Sequence, residues 1–423
     1  MTVIRALRRY AIPALFVVTA LLTGRSALAV TGVVLDSSTQ NPLADAIITT
    51  SAGVMRTDEN GRFETAEAVE SVAARAPGYL RTEAKVSDET PVTLALTPFR
   101  PKAVYLSVFG VTSSTLRNNA VSLAENTEIN ALVIDVKGDR GLTPYRSAAR
   151  EAIGATAHLT TRAPQMRDFP ALLAKLRAQH PYLIARIVVF KDDPLASAHP
   201  EWSVHTADGQ PWRDLEKLQW MDPFSPEVWQ HNLDVAEEAA QMGFDEIQFD
   251  YVRFPDKSGL RFALPNNRAN RTAAIIGFLQ AARARLAPYN VFVSADIFGY
   301  VCWNLDDTAI GQQIELLGAE LDYISPMLYP SGFTWGLPGF TNPTADPGQI
   351  VRRTLAEAMK RTHLPGVRFR PWLQAFRDYA FDRRPFDAAA ISAQVHAADA
   401  AGTDGWMLWN PRNHYEAADL PQR

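Results

Sequence analysis

The residues best placed for chemistry in this 423-residue chain are carboxylates that close apolar runs. Asp135 ends Leu132-Val-Ile-Asp, Asp250 ends Ile247-Gln-Phe-Asp, and Asp296 ends Val293-Ser-Ala-Asp. A carboxylate after several strand-like residues is costly to bury unless it is paired or used. Two carboxyls at one mouth are what glycosidic cleavage requires. One protonates the leaving oxygen, and the other attacks the anomeric carbon or activates water. On this reading Asp250 is the nucleophile or base and Asp296 the general acid. Asp135, Lys137, Arg253, Tyr329, Gln374, Trp409 and Asn410 would line the pocket, and the other tryptophans on loops would offer flat faces to sugar rings. Each residue also has a plainer reading. Asp135 and Lys137, two apart on one strand face, would neutralise each other. Asp250 and Arg253 would form an ion pair, and Asp296 would cap a loop.

Other chemistries have less support. The eight histidines show no HExxH or paired-ligand spacing, so no metal is expected, and no feature calls for a cofactor. No serine sits in a G-x-S-x-G elbow. Two rivals stay open: a lyase using Lys137, and a non-catalytic carbohydrate-binding or envelope protein. Cys302, the only cysteine, lies between Val301 and Trp303 and reads as a buried, inert thiol. It can form no internal bridge, so core burial must hold the fold.

The elements that would position these residues begin near Lys102. Eight apolar runs follow: 104–109, 131–136, 183–190, 246–254, 291–298, 322–329, 369–376 and 405–409. Near-continuous apolar runs suit strands buried on both faces, as in a parallel sheet. Helix signals alternate with them, as at Asp168, Ser225-Pro226, Asp346-Pro347 and Asp387, with stops at Gly243 and Gly402. Eight strands with seven or eight helices predict an α/β fold, a (β/α)8 TIM barrel over 102–423. Active sites of such barrels lie at the C-terminal strand ends, and adjacent strands are about 4.8 Å apart. Asp250 and Asp296 would therefore share one pocket. A doubly wound sheet is the runner-up, but it lacks a Gly-rich turn after the first strand.

Residues 30–98 read as short strands and turns, a small all-β sandwich, with a stiff junction at Pro98–Pro101 that predicts a separately folding barrel. Before them, Arg5, Arg8 and Arg9 precede an apolar run from Ala11 to Leu22 and a small-residue site, Ala27-Leu28-Ala29. The order predicts a signal peptide over 1–29, cut after Ala29, and a periplasmic or secreted protein with no membrane anchor after cleavage. The first 29 residues hold four of the 42 basic residues and no acid, leaving 38 basic against 46 acidic residues. An acidic body without a basic run argues against a nucleic-acid partner.

Two resemblances accompany these readings. Gly32-Val-Val-Leu-Asp, Asn41-Pro-Leu-Ala-Asp-Ala, Thr57-Asp-Glu-Asn-Gly-Arg-Phe63 and Ala76-Pro-Gly-Tyr79 resemble the carboxypeptidase regulatory-like domain, a prealbumin-like sandwich. That implies a scaffold or adhesive role without chemistry of its own. Leu132-Val-Ile-Asp-Val-Lys137, Phe249-Asp-Tyr-Val-Arg-Phe-Pro255, Ser294-Ala-Asp-Ile-Phe-Gly299, Ile324-Ser-Pro-Met-Leu-Tyr-Pro330 and Gly405-Trp-Met-Leu-Trp-Asn410 resemble a bacterial family of glycoside hydrolase barrels, distantly α-amylase-like. The resemblance implies glycosidic hydrolysis as the reaction class, with Asp250 matching the nucleophile at the end of strand four; a polysaccharide or oligosaccharide is the expected substrate. The α-amylase-like acid is a glutamate ending strand five, where this chain has Asp296.

Overall fold

The structure, a computed structural model, describes residues 29–86, 91–156 and 165–423. The expected signal peptide, up to Leu28, lies outside the described residues. The sandwich has strands β1 (Thr31–Asp36), β2 (Ile47–Thr50), β3 (Gly53–Arg56), β4 (Arg62–Glu64), β5 (Ser71–Arg75), β6 (Thr82–Lys85) and β7 (Val92–Leu96). They form two sheets, ordered β4-β1-β7 and β3-β2-β5-β6. In β7, Val92, Leu94 and Leu96 are buried while Thr93 and Ala95 face solvent, the alternation of a half-buried strand. The Asp58–Gly61 segment is a turn built by Asp58, whose Oδ1 accepts from the amides of Asn60 (2.9 Å) and Arg62 (2.8 Å). Gly61 is required there: its φ is +69°, and a Cβ would stand 2.6 Å from the Val34 carbonyl oxygen.

The barrel strands are β8 (Lys102–Leu106), β9 (Ala131–Lys137), β10 (Tyr182–Val188), β11 (Glu246–Asp250), β12 (Phe292–Ile297), β13 (Tyr323–Pro326), β14 (Trp372–Gln374) and β15 (Trp406–Trp409). All eight apolar runs became strands. They pair in parallel in the order β13-β12-β11-β10-β9-β8-β15-β14. Single parallel bridges from Ile324 to Phe369 and from Met327 to Trp372 close the ring. Among the described residues ten α-helices lie between these strands, at least one in each of the seven connections, and none follows β15 before a short 3-10 turn. The sequence signals act as caps: Asp168, Ser225, Asp346 and Asp387 each accept a first-turn amide. No helix among the described residues is long and apolar enough to cross a membrane.

The 98–101 junction is not a free linker. Leu80 and Phe99 pack into the lower lumen with Tyr182, Phe292 and Tyr323, and Phe99 stacks on Tyr182 at 5.9 Å. Arg81 Nε reaches Asp245 Oδ1 at 3.0 Å, Arg75 donates to Asn290 Oδ1 (3.2 Å), and the Gly78 amide donates to the Tyr323 hydroxyl (3.3 Å). The sandwich thus seals the N-terminal end of the barrel. Just above, buried Arg370 bridges Glu246 and Asp404, while the hydroxyls of Tyr182 and Ser294 donate to Glu246. That explains how a carboxylate can open an apolar strand.

Candidate active site

At the other end, the lumen is organised around one cation, Arg186, which β10 points inward. The parallel register sets Arg186 beside Asp135 and Val188 beside Asp250. Its guanidinium donates through Nη1 to Asp135 Oδ1 (2.7 Å), through Nη2 to Asp139 Oδ1 (2.9 Å), and through Nε to Asp250 Oδ2 (3.0 Å). Asp296 Oδ2 stands 3.9 Å from the same Nε. The oxygens of Asp250 and Asp296 therefore lie below roughly 7 Å apart, within reach of glycosidase carboxyl spacings. Arg186 is 1% exposed, and three hydrogen-bonded carboxylates, Asp135, Asp139 and Asp250, compensate its burial.

Aromatic side chains fix this cluster. Trp409 stacks on Tyr105 with ring centroids 4.0 Å apart, and the guanidinium lies 4.9 Å from the Trp409 ring centre. The Tyr105 hydroxyl donates to Asp135 Oδ2 (2.7 Å), and Trp372 Nε1 donates to Asp296 Oδ1 (2.7 Å). Asp250 Oδ1 accepts the Tyr251 amide at 2.6 Å, where a φ of +49° at Tyr251 turns the chain away from the strand. Burial, then the Asp250 charge, pushes the Asp296 carboxyl well above the usual range against the pull of Arg186. Burial also raises Asp135, to about 6, although Arg186 opposes it. Asp135, Asp139, Tyr105 and Trp409 line a cavity of about 340 Å³.

The structure brings Asp135, Asp250, Asp296 and Trp409 together. Tyr329 joins them at the rim, edge-on to Phe376 at 5.5 Å, its hydroxyl raised by burial and then by the Asp296 charge. Lys137 goes elsewhere. A β-bulge between Arg186 and Ile187 pairs Ile187 with Lys137, so Val136 and Lys137 both face out of the lumen. Period-two counting puts Asp135 and Lys137 on one face; the extra residue separates them. Lys137 Nζ instead sits 2.8 Å from Asp192, fully buried beside Arg150, which also holds Asp192 at 2.8 Å. Gln374 faces inward but is committed to Ser331 and the Phe376 carbonyl. Asn410 spends its amide on the carbonyls of Ala375 and His414. Arg253 forms no ion pair with Asp250; it lies over Trp220 and Tyr251 in a neighbouring cleft. Cys302 is buried, its thiol raised to about 12.

Sequence reasoning missed Arg186, Asp139, Tyr105 and Trp372. Arg186 carried a readable signal, since a charge inside Leu183–Phe190 is as costly to bury as the carboxylates are.

Residues 103–415 match the family described as "Putative glycosyl hydrolase domain", three-quarters of the chain. The chain belongs to this family. The hydrolase also resembles solved structures. A hypothetical protein from Ruminiclostridium thermocellum ATCC 27405 is 36% identical, covering 46% of this chain and 96% of its own, with a TM-score of 0.40. The glycoside hydrolase domain of PgaB (BpsB) from Bordetella bronchiseptica is 16% identical, covering 76% and 97%, with a TM-score of 0.56, and it shares the barrel fold. A chitinase from Chromobacterium violaceum ATCC 12472 is 13% identical, covering 76% and 96%, with a TM-score of 0.46. No curated relative matches the sequence.

Proposed function

We propose that this glycoside hydrolase is exported and cleaves a polysaccharide or oligosaccharide with Asp250 as nucleophile or base and Asp296 as general acid. One observation carries the reading. The two carboxyls end adjacent strands and face the same guanidinium, yet only Asp250 is hydrogen-bonded to it, while Asp296 is sealed and biased toward its protonated form. A neutral carboxyl beside an ion-paired one is the division of labour that glycoside cleavage needs. Asp296 would give its proton to the leaving oxygen as Asp250 attacks the anomeric carbon or draws a proton from water. Arg186 positions Asp250, and Trp409 offers an aromatic wall beside the cavity.

Position favours a second assignment for the acid. Asp135, 2% exposed against 1% for Asp296, is no more accessible, but it lines the cavity at the mouth and is raised to about 6. The test is a polysaccharide panel followed by single Asp→Asn variants on the substrate found. Replacing the true acid spares an activated aryl glycoside, whose leaving group needs no proton. Replacing Asp250 removes activity on every substrate. Full activity in Asp250→Asn would end the reading and favour a binding protein.

Export is read from the charged segment, the apolar run and the Ala27–Ala29 site. The sandwich would serve as an accessory domain of the carboxypeptidase regulatory-like kind.

A further inference from the structure

Beside the carboxylate mouth lies a second cleft with the opposite charge. After β10, residues 191–220 leave the barrel and fold back through bridges from Lys191 to Trp220 and from Arg213 to Gln219. Together with the turn that follows Asp250, this excursion encloses about 660 Å³, a size typical of small-molecule sites. Five basic side chains line it against three acidic ones, in a chain whose net charge is −4. Lys191 is neutralised by Asp214 (3.1 Å) and Glu216 (2.6 Å), and Arg213 by Asp193 (2.9 Å). Among the described residues Lys217, Arg253 and Lys257 have no carboxylate partner.

Arg253 is the most constrained of the three. Its guanidinium is 4.9 Å from the Trp220 ring centre and 5.1 Å from that of Tyr251. Its one hydrogen bond among the described residues runs from Nη1 to the Phe254 carbonyl (3.1 Å). The stacking holds the planar fork still while leaving Nε and Nη2, among the described residues, without partners, the arrangement suited to two oxygens of one carboxylate or sulfate. Trp212, half-buried on the same wall, adds an apolar face. Tyr251 both lines this cleft and follows Asp250 directly, so a polymer bound across the mouth would continue into it.

We propose that this cleft is a subsite for a sugar residue bearing an anionic substituent, with Arg253 as its ligand, so that the polymer is an acidic polysaccharide. The step from bound to cleaved rests on the catalytic reading above; the binding does not.

The test is titration of the full-length Asp296→Asn protein, followed by calorimetry, with three tetrasaccharides: one of uronic acids, one sulfated, and neutral cellotetraose. At least one acidic sugar should bind about tenfold more tightly than the neutral one, with the gap narrowing from about 50 mM to about 500 mM salt. Which acidic sugar wins distinguishes carboxylate from sulfate. Arg253→Gln should abolish the preference and Arg253→Lys restore part of it. Lys217→Gln with Lys257→Gln, both on exposed side chains, should weaken only acidic sugars, by a few-fold. Equal affinities, a preference that survives Arg253→Gln, or no acidic sugar bound below the millimolar range would each overturn the subsite. Turnover by the unaltered protein is read separately. Acidic binding without cleavage would leave the subsite and remove the catalytic assignment; cleavage of neutral glycans without acidic preference would do the reverse.

Discussion

Arg186 Nε faces Asp250 Oδ2 at 3.0 Å inside a lumen where the arginine is 1% exposed, so one guanidinium decides the charge state of the mouth. Arg186→Met should cost roughly 3–5 kcal/mol of folding stability at pH 7, because it strands buried carboxylates. Without the cation those groups bind protons more readily folded than unfolded. The deficit should therefore be greatest at neutral pH and shrink toward pH ~4. Urea unfolding at the two pH values checks both parts; a pH-independent loss would mean that packing, and not charge, is what Arg186 supplies.

Asp250→Asn and Asp296→Asn should separate in stability as well as in activity. Asp296 is biased toward its neutral form and accepts from Trp372 Nε1, which an amide oxygen can replace. Its Asn variant should match or exceed the parent's thermal midpoint. Asp250→Asn removes a charge from Arg186 and should destabilise by roughly 1–3 kcal/mol. Equal midpoints for the two variants would contradict this picture of the pair.

Asp135 makes a pH prediction of its own. Its folded pKa, about 6, is above the unfolded value near 4, so the folded state holds the extra proton between them. Its contribution is fully present below pH ~4 and is lost as pH rises through about 6, a fall of about 3 kcal/mol at most. Unfolding free energies between these limits should decline more steeply in the parent than in Asp135→Asn. Parallel curves would show that Asp135 is ionised throughout.

Deleting residues 30–98 tests the seal under the barrel. Sequence alone suggested that the barrel would stand without the sandwich. In the structure the deletion removes Leu80 from the lower lumen and takes away the Arg81 partner of Asp245 and the Arg75 partner of Asn290. The truncated chain should melt well below the full protein or aggregate, as expected for exposed apolar floor and orphaned buried polar groups. A soluble barrel with an unchanged midpoint would show that these contacts add nothing.

The strands were legible because burial on both faces demands long apolar runs, and the helix starts because capping is local chemistry, as Ser225 and Asp346 show. Asp250 and Asp296 were legible as misfits in such runs. Arg186 was visible as a charge inside an apolar run, but only pairing across β9, β10, β11 and β12 reveals that it faces Asp135, Asp250 and Asp296 together, with Asp139 joining from the turn after β9. Lys137 was misplaced for a different reason. One inserted residue inverts every face assignment after it, and a bulge leaves no composition signature. Asn410 and Gln374 do stand at strand ends, but loop carbonyls and Ser331 claim their amides, which no strand pattern records.

The inserted residue also sets up an electric field through the wall. On the inner side of β9, carboxylates outnumber the single guanidinium; on the outer side, Lys137 and Arg150 outnumber Asp192. One strand is thus a charged double layer with its positive plate behind the carboxyls, poised to favour negative charge in the mouth across a low-dielectric gap. Lys137, drawn down to about 8 by burial, is the plate's titratable element. Loss of its proton would discharge the plate and weaken this support without any atom in the mouth having changed.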